Sequence, residues 1–166
     1  MRGNLPENEP KILEEIFEKG LYEKMLKKNA GKEPFVLHDG PPYANGEIHT
    51  GHALNKVLKD TIVRYKNLKG YYTPFVPGFD THGMPTEKKA IEKLGLNRDE
   101  IPVVKFRDTC KEFNIEYIKK QTEGFKRLGA IGDWENPYIT YLPQMEAKQI
   151  GVFGNMYKKG YIYKGL

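Results

Sequence analysis

Three of the four histidines in this chain, His38, His49 and His52, fall within HDGPPYANGEIHTGH (38–52), beside Asp39, two prolines and three glycines. Three chemistries compete for such a cluster. In a metal site, His49 and His52 could turn two imidazoles the same way, and Asp39, Asp80 and His82 could add ligands. No third ligand lies at a characteristic offset, however, and a single cysteine, Cys110, excludes a cysteine-built zinc centre. General acid–base work suits histidine. A nucleophilic triad does not follow, because the chain has no serine and its cysteine sits in the apolar stripe of a helix. An anion cradle needs the fewest coincidences. Gly46 and Gly51 allow close backbone approach. Thr50 and Gly51 open a helix, whose free N–H groups and positive dipole end favour phosphate. His49 and His52 add donors at that opening. Neither the GxxxxGK[ST] loop nor GxGxxG is present.

A second cluster follows in PGFDTHGMPTE (77–87). Asp80 is a carboxylate at a strand end, a natural partner for a bound cation, although it could equally form an Asx turn or cap a helix.

The elements that would position these groups can be read from periodicity. Residues 10–28 read as two short helices hinged near Gly20. Residues 34–38 read as a buried strand entering the first loop. From about Gly51 to Gly70, Ala53, Leu54, Val57, Leu58, Ile62, Tyr65 and Leu68 recur at helical spacing and form the expected inward stripe. Residues 71–76 are strand-like and end in Pro77-Gly78. A short helix near 84–94 leads to a long one near 105–128, with Phe106, Cys110, Phe113, Tyr117, Phe125 and Leu128 as its core stripe. A strand near 138–141, a helix near 143–159 and the beginning of a strand at 161–163 complete the chain. Strand, glycine loop, helix and strand in this order predict an α/β fold with a parallel sheet. Ligands in such folds bind at the carboxyl ends of strands, where both clusters fall.

Composition sets outer bounds. The chain has 166 residues, 39% hydrophobic and 30% charged, enough for one domain with its own core. No apolar run approaches the ~18 residues of a membrane span, and the first residues lack the apolar centre of a signal peptide. One cysteine permits no internal disulfide and suits a reducing, cytoplasmic setting. The net charge of +5 fits attraction to a polyanion. Lys88, Lys89 and Lys93, interleaved with Glu92, read instead as a solvated helix face.

The residues also carry a resemblance. HTGH after a first strand, preceded by GPPYANG, resembles the HIGH signature of the class I aminoacyl-tRNA synthetases, and HDGPPYANGEIHTGHALNKVLKD resembles their isoleucyl branch. PGFDTHGMPTE resembles that family's GWDxHGLPxE, and RLGAIGDWENPYIT (127–140) is a third match in order. Phe79, Met84 and Thr86 depart from the usual tryptophan, leucine and aliphatic residue, at positions that could tune the amino-acid pocket. The resemblance implies a helical segment over 1–33, then the first half of a Rossmann catalytic domain over 34–166, ending before an editing insertion. It implies ATP with Mg2+, isoleucine and its tRNA as ligands of a monomeric cytoplasmic enzyme, with no zinc in this part. His49 and His52 would be catalytic and contact ATP phosphates. Asn45, Gly46 and Gly51 would border the nucleotide. Pro41, Pro42 and Tyr43 would wall the amino acid, and Asp80 would hold its ammonium. His38 is expected to be structural. Two other readings remain at this stage: a small HxGH nucleotidyltransferase, which would need neither GPPYANG nor GFDTHG, and a basic RNA-binding module, for which no recognised motif stands out.

Overall fold

The computed structural model describes residues 3–95 and 97–165; the outer limits of the expected segments, Met1 and Leu166, lie outside the described residues. Helices dominate: α1 (Leu5–Glu18), α2 (Leu21–Lys28), α3 (Thr50–Leu68), α4 (Met84–Leu94), α5 (Val103–Arg127) and α6 (Pro143–Lys158), with a 3-10 turn at Arg98–Glu100. The hinge between α1 and α2 is Gly20, whose φ of 59° is left-handed and therefore suits glycine.

The sheet is parallel, as the alternation of elements predicts. Strand β1 (Gly78–Phe79) pairs with β2 (Tyr138–Ile139), Gly78 opposite Tyr138 and Phe79 opposite Ile139. On the other edge of β1, Tyr43 forms a parallel bridge with Asp80. There the Ala44 N–H donates to the Asp80 carbonyl and the Asp80 N–H to the Pro42 carbonyl, both at 2.8 Å. Gly78 is required at its position, because the Tyr138 ring lies where a Cβ would stand.

Three expected strands need correction. Residues 34–38 and 71–76 are joined by one parallel bridge, Pro34 to Tyr72, and are otherwise extended without a ladder. The physical reason is proline: Pro34, Pro41, Pro42, Pro74 and Pro77 have no N–H to donate, so regular pairing is confined to the few residues between them. Nor is 34–38 buried, since Val36 is exposed. Residues 161–163 form no strand, and Tyr161 and Tyr163 are exposed.

The core gathers around Phe125 of α5 and Phe79 of β1. Ala44, Phe79, Phe125, Ala130 and Trp134 form one buried cluster, with Phe17, Ile48, Tyr117, Ile118 and Ile139 against it. Along α5, Phe106, Phe113 and Phe125 are buried as their spacing predicts, whereas Leu128, the C-cap, faces solvent. The α1–α2 segment is fastened to this body. The Tyr22 hydroxyl accepts from the Phe75 N–H at 2.9 Å, and the Asn29 amide donates to the carbonyls of Asn67 and Tyr71.

The largest departure concerns α3. Its apolar stripe does not face the core: Leu54, Val57, Leu58, Ile62, Tyr65 and Leu68 are all exposed. The buried residues of this helix are Lys56, Val63 and Asn67. Each inward polar group has a specific partner. Lys56 meets Asp39. Asp60 accepts from the Ile131 N–H at 2.9 Å, and Asn67 donates to the Met25 carbonyl and the Thr73 hydroxyl. A buried polar face is tolerable only on those terms.

Candidate active site

Helix α3 begins where the sequence places the cradle. His49 is the N-cap, in extended conformation, and its Nδ1 accepts from the Gly51 N–H at 3.1 Å. The His52 Nδ1 accepts in turn from the His49 N–H at 3.4 Å. The two imidazoles thus form a capping box, the role usually taken by Ser/Thr and Glu. Their rings stack at 3.8 Å between centroids. Because each Nδ1 accepts a hydrogen bond, each neutral ring carries its proton on Nε2, leaving that N–H to donate elsewhere. His52 is held below the usual histidine range, first by burial and then by the charges of His49 and Lys56. Gly51 is tight for another reason: a Cβ there would come within 3.0 Å of the His49 ring. One of the helix's opening N–H groups, that of Gly51, is therefore already taken by His49.

This helix start opens on a cavity of about 350 Å³ lined by Gly40, Pro41, Pro42, His49, Gly51, His52, Asn55, Lys56 and Phe125. Two expected amino-acid-side residues, Pro41 and Pro42, thus share one space with three expected ATP-side residues. The remaining expected residues, Tyr43, Asn45, Gly46 and Asp80, do not line it. Tyr43 and Asp80 are neighbours across the parallel bridge. Asn45 and Gly46 lie in the following turn, where the Gln121 amide donates to the carbonyls of Tyr43 at 2.9 Å and Gly46 at 2.8 Å. One Asp80 oxygen accepts from the His82 N–H at 3.1 Å, an Asx turn, and from the Thr140 hydroxyl at 3.4 Å. Its other oxygen has no partner among the described residues, so Asp80 forms the turn and still offers an acceptor. His38 stacks on the Tyr138 ring at 5.7 Å, and His82 faces Glu146 at 3.3 Å. Asp39, weighed above as a metal ligand, is committed to Lys56 and Lys59. Among the described residues, no three His, Cys, Asp or Glu side chains gather at metal-holding range.

Sequence reading missed several groups that shape this site. Gln121 is buried and supports the 43–46 turn from α5. Its signal was available, since it falls at four-residue spacing between Tyr117 and Phe125, where an apolar residue would be expected. Lys56 gave no such signal, because a lysine on a lysine-rich helix reads as solvated. Thr140 and Tyr138 reach the site across the β1–β2 pairing, which spacing along the chain does not reveal. The Tyr138 hydroxyl donates to the Asp39 carbonyl. Burial, then the charges of Asp39 and Asp80, push its pKa up to about 12, so it remains a donor.

Residues 11–166 match the family described as tRNA synthetases class I (I, L, M and V), and the chain belongs to it. Over all 166 residues it is 60% identical to the isoleucine–tRNA ligases of Caldicellulosiruptor saccharolyticus and Carboxydothermus hydrogenoformans, and 59% identical to that of Desulforamulus reducens. It spans 18% of the length of each of these relatives. Its fold is shared with the LeuRS of Agrobacterium radiobacter K84, solved in a ternary complex with tRNA and LeuAMS. That likeness has a TM-score of 0.70 at 24% identity and covers 88% of this chain and 17% of that one. The stand-alone nucleotidyltransferase and the RNA-binding module find no support in these matches. No helix of the described residues is long and apolar enough to cross a membrane.

Proposed function

We propose that this chain carries the ATP- and isoleucine-binding part of a cytosolic isoleucine–tRNA ligase, which joins isoleucine to ATP, releases pyrophosphate and passes the acyl group to tRNA. One observation carries the reading. The HTGH helix start, the Gly40–Pro42 loop and the Asp80 strand end meet at one edge of a parallel sheet, in a chain 60% identical to two such ligases.

The attacking group is the substrate's own carboxylate, so no protein nucleophile is needed. The Cys110 thiol is no candidate, since burial pushes its pKa up. Catalysis then consists of alignment and of stabilising charge on phosphate oxygens. The Nε2–H groups of His49 and His52 donate to the ATP phosphates. Asn45, Gly46 and Gly51 border the nucleotide. Pro41, Pro42 and Tyr43 form a stiff apolar wall for the side chain of isoleucine, and the free oxygen of Asp80 takes its ammonium. The cavity's two imidazole donors fit a polyphosphate better than a bare divalent ion. Magnesium would therefore arrive on the phosphate oxygens of the nucleotide.

Residues 1–33 form the helical lead-in, and 34–166 the first half of the catalytic domain. The resemblance to class I synthetases also implies a KMSKS loop that completes the active site, and it is not among these 166 residues, so exchange by this chain alone is expected to be weak or absent. Isotopic ATP–pyrophosphate exchange by the longer ligase containing this segment should depend on isoleucine. Preference for valine or leucine would overturn the assignment. The contrast need not be absolute, because one methylene is worth only about 1–3 kcal/mol of discrimination, a magnitude for which synthetases are themselves the standard example.

A further inference from the structure

Asp39 and Lys56 are the most enclosed ionic groups among the described residues, only 1% and 2% exposed, and none of the roles above uses them. Asp39 immediately precedes Gly40, Pro41 and Pro42, and it is bonded to three different parts of the fold. One carboxylate oxygen accepts from the Lys56 ammonium on α3 and, at 2.9 Å, from the Gly78 N–H of β1. The other accepts from Lys59 at 2.7 Å. Its backbone carbonyl accepts from the Tyr138 hydroxyl of β2. Lys56 sits two turns along α3 from His49, about 10 Å by helix rise. Its ammonium is closed in by the rings of Phe125, Trp134 and Phe75, at 5.0, 5.8 and 5.9 Å from their centroids.

A buried pair of this kind is a poor way to gain stability. Desolvation of the two charges offsets most of their attraction, and apolar side chains of the same volume often do as well or better. The pair does supply direction. Asp39 holds the amino-acid loop, β1 and α3 through one carboxylate, and Lys56 is the α3 end of that bond. Lys56 also lines the cavity beside His49 and His52, yet its ammonium is turned to Asp39 and away from the open space.

We propose that the Asp39–Lys56 pair sets the spacing between the HTGH helix start and the two substrate loops, which makes Lys56 a positioning residue for adenylate formation. The inference rests on the function proposed above, and its test separates the two.

In the longer ligase containing this segment, Lys56→Met should lower kcat for isoleucine-dependent exchange about 100-fold, the scale of loss that a 1 Å misplacement produces. KM for ATP and for isoleucine should stay within about three-fold, because no substrate contact is removed. Lys56→Arg, which can still reach the carboxylate, should recover at least about ten-fold of the lost kcat. The double variant Asp39→Asn with Lys56→Met removes both charges and should fold yet stay slow. Lys56→Met is expected to fold, since Asp39 keeps Lys59 and the Gly78 N–H. Should it fail to fold, Lys56→Arg and the double variant carry the same readouts. A kcat within about three-fold of the unsubstituted enzyme in Lys56→Met, or in the double variant, would overturn the proposal. So would a ten-fold rise in KM for ATP at unchanged kcat, which would mark Lys56 as a direct nucleotide contact. If the unsubstituted ligase shows no isoleucine-dependent exchange, the proposed function falls and the tie is judged alone, by amide hydrogen exchange on the 166-residue chain. Exchange of the Gly78 amide at least ten-fold faster in Lys56→Met supports the tie, and unchanged exchange overturns it.

Discussion

Helices α3 and α5 are the two longest in the molecule, and both announce themselves by an apolar stripe, but they use it in opposite ways. Helix α5 turns Phe106, Phe113 and Phe125 into the core. Helix α3 turns Lys56, Val63 and Asn67 inward and leaves Leu54, at 62% exposure, and Leu68, at 79%, on the surface. The period of a hydrophobic pattern identifies a helix, whereas the face it buries is decided by what the neighbouring segments offer. Opposite α5 stand Ala44, Phe79 and Trp134, which an apolar stripe fills. Opposite α3 stand a carboxylate and backbone groups: Asp39, the Ile131 N–H and the Met25 carbonyl. An apolar face there would strand them unpaired, which costs more than leaving leucines in water.

The comparison can be broken from the α5 side most forcefully. Phe125 is fully buried, stacks with Trp134 at 5.9 Å between centroids and touches the His52 edge. Phe125→Ala should cost about 3–5 kcal/mol, read as a fall in the urea midpoint at constant slope. On α3 the equivalent test is Asn67→Ala, which strips the Met25 carbonyl and the Thr73 hydroxyl of a donor and should cost about 1–3 kcal/mol in the same titration. Leu54→Gln and Leu58→Gln, on the stripe that sequence periodicity assigns to the core, should shift stability by no more than about 0.5 kcal/mol. Losses above 2 kcal/mol for either would show that α3 buries the other face.

The helix start adds a pH dependence. The folded state holds His52 below the ordinary histidine value of about 6.5, so the unfolded chain binds the proton more readily. The stability contributed by the neutral ring is therefore present above about pH 6.5 and is lost as pH falls below it, towards the lowered folded value. Protonation of Nδ1 also ends its acceptance from the His49 N–H. An NMR titration of the ring protons should give His52 a midpoint below the usual histidine value of about 6.5, with the His49 amide shift moving at the same pH.

Much of this was legible in the sequence. The order of elements, the Gly20 hinge, the parallel sheet, the start of α3 at HTGH and the inward stripe of α5 all follow from spacing and from glycine and proline. The strands were over-read because β-prone residues at 34–38 and 71–76 are interleaved with prolines that cannot donate to a ladder. The α3 face was misjudged because buried lysines are rare and nothing local marks Lys56 as one. Its partner Asp39 lies 17 positions away, and the loop that brings them together is a property of the fold. The candidate site residues are proposed from their motifs. The groups that hold them, Lys56, Gln121, Thr140 and Tyr138, come from other elements, and only Gln121 left a trace, as a polar break in an apolar stripe.

The central claim is that the histidine-capped start of α3 and the Gly40–Pro42 loop together receive ATP. Titration of ATP with magnesium into the 15N-labelled chain tests it directly, because every glycine of the cradle has its own amide signal. The account predicts saturable shifts at Gly40, Gly46 and Thr50–His52, abolished in the His49→Ala, His52→Ala double variant while that protein remains folded. Shifts centred instead on the exposed 54–68 face of α3, or shifts that survive the double substitution, would contradict it.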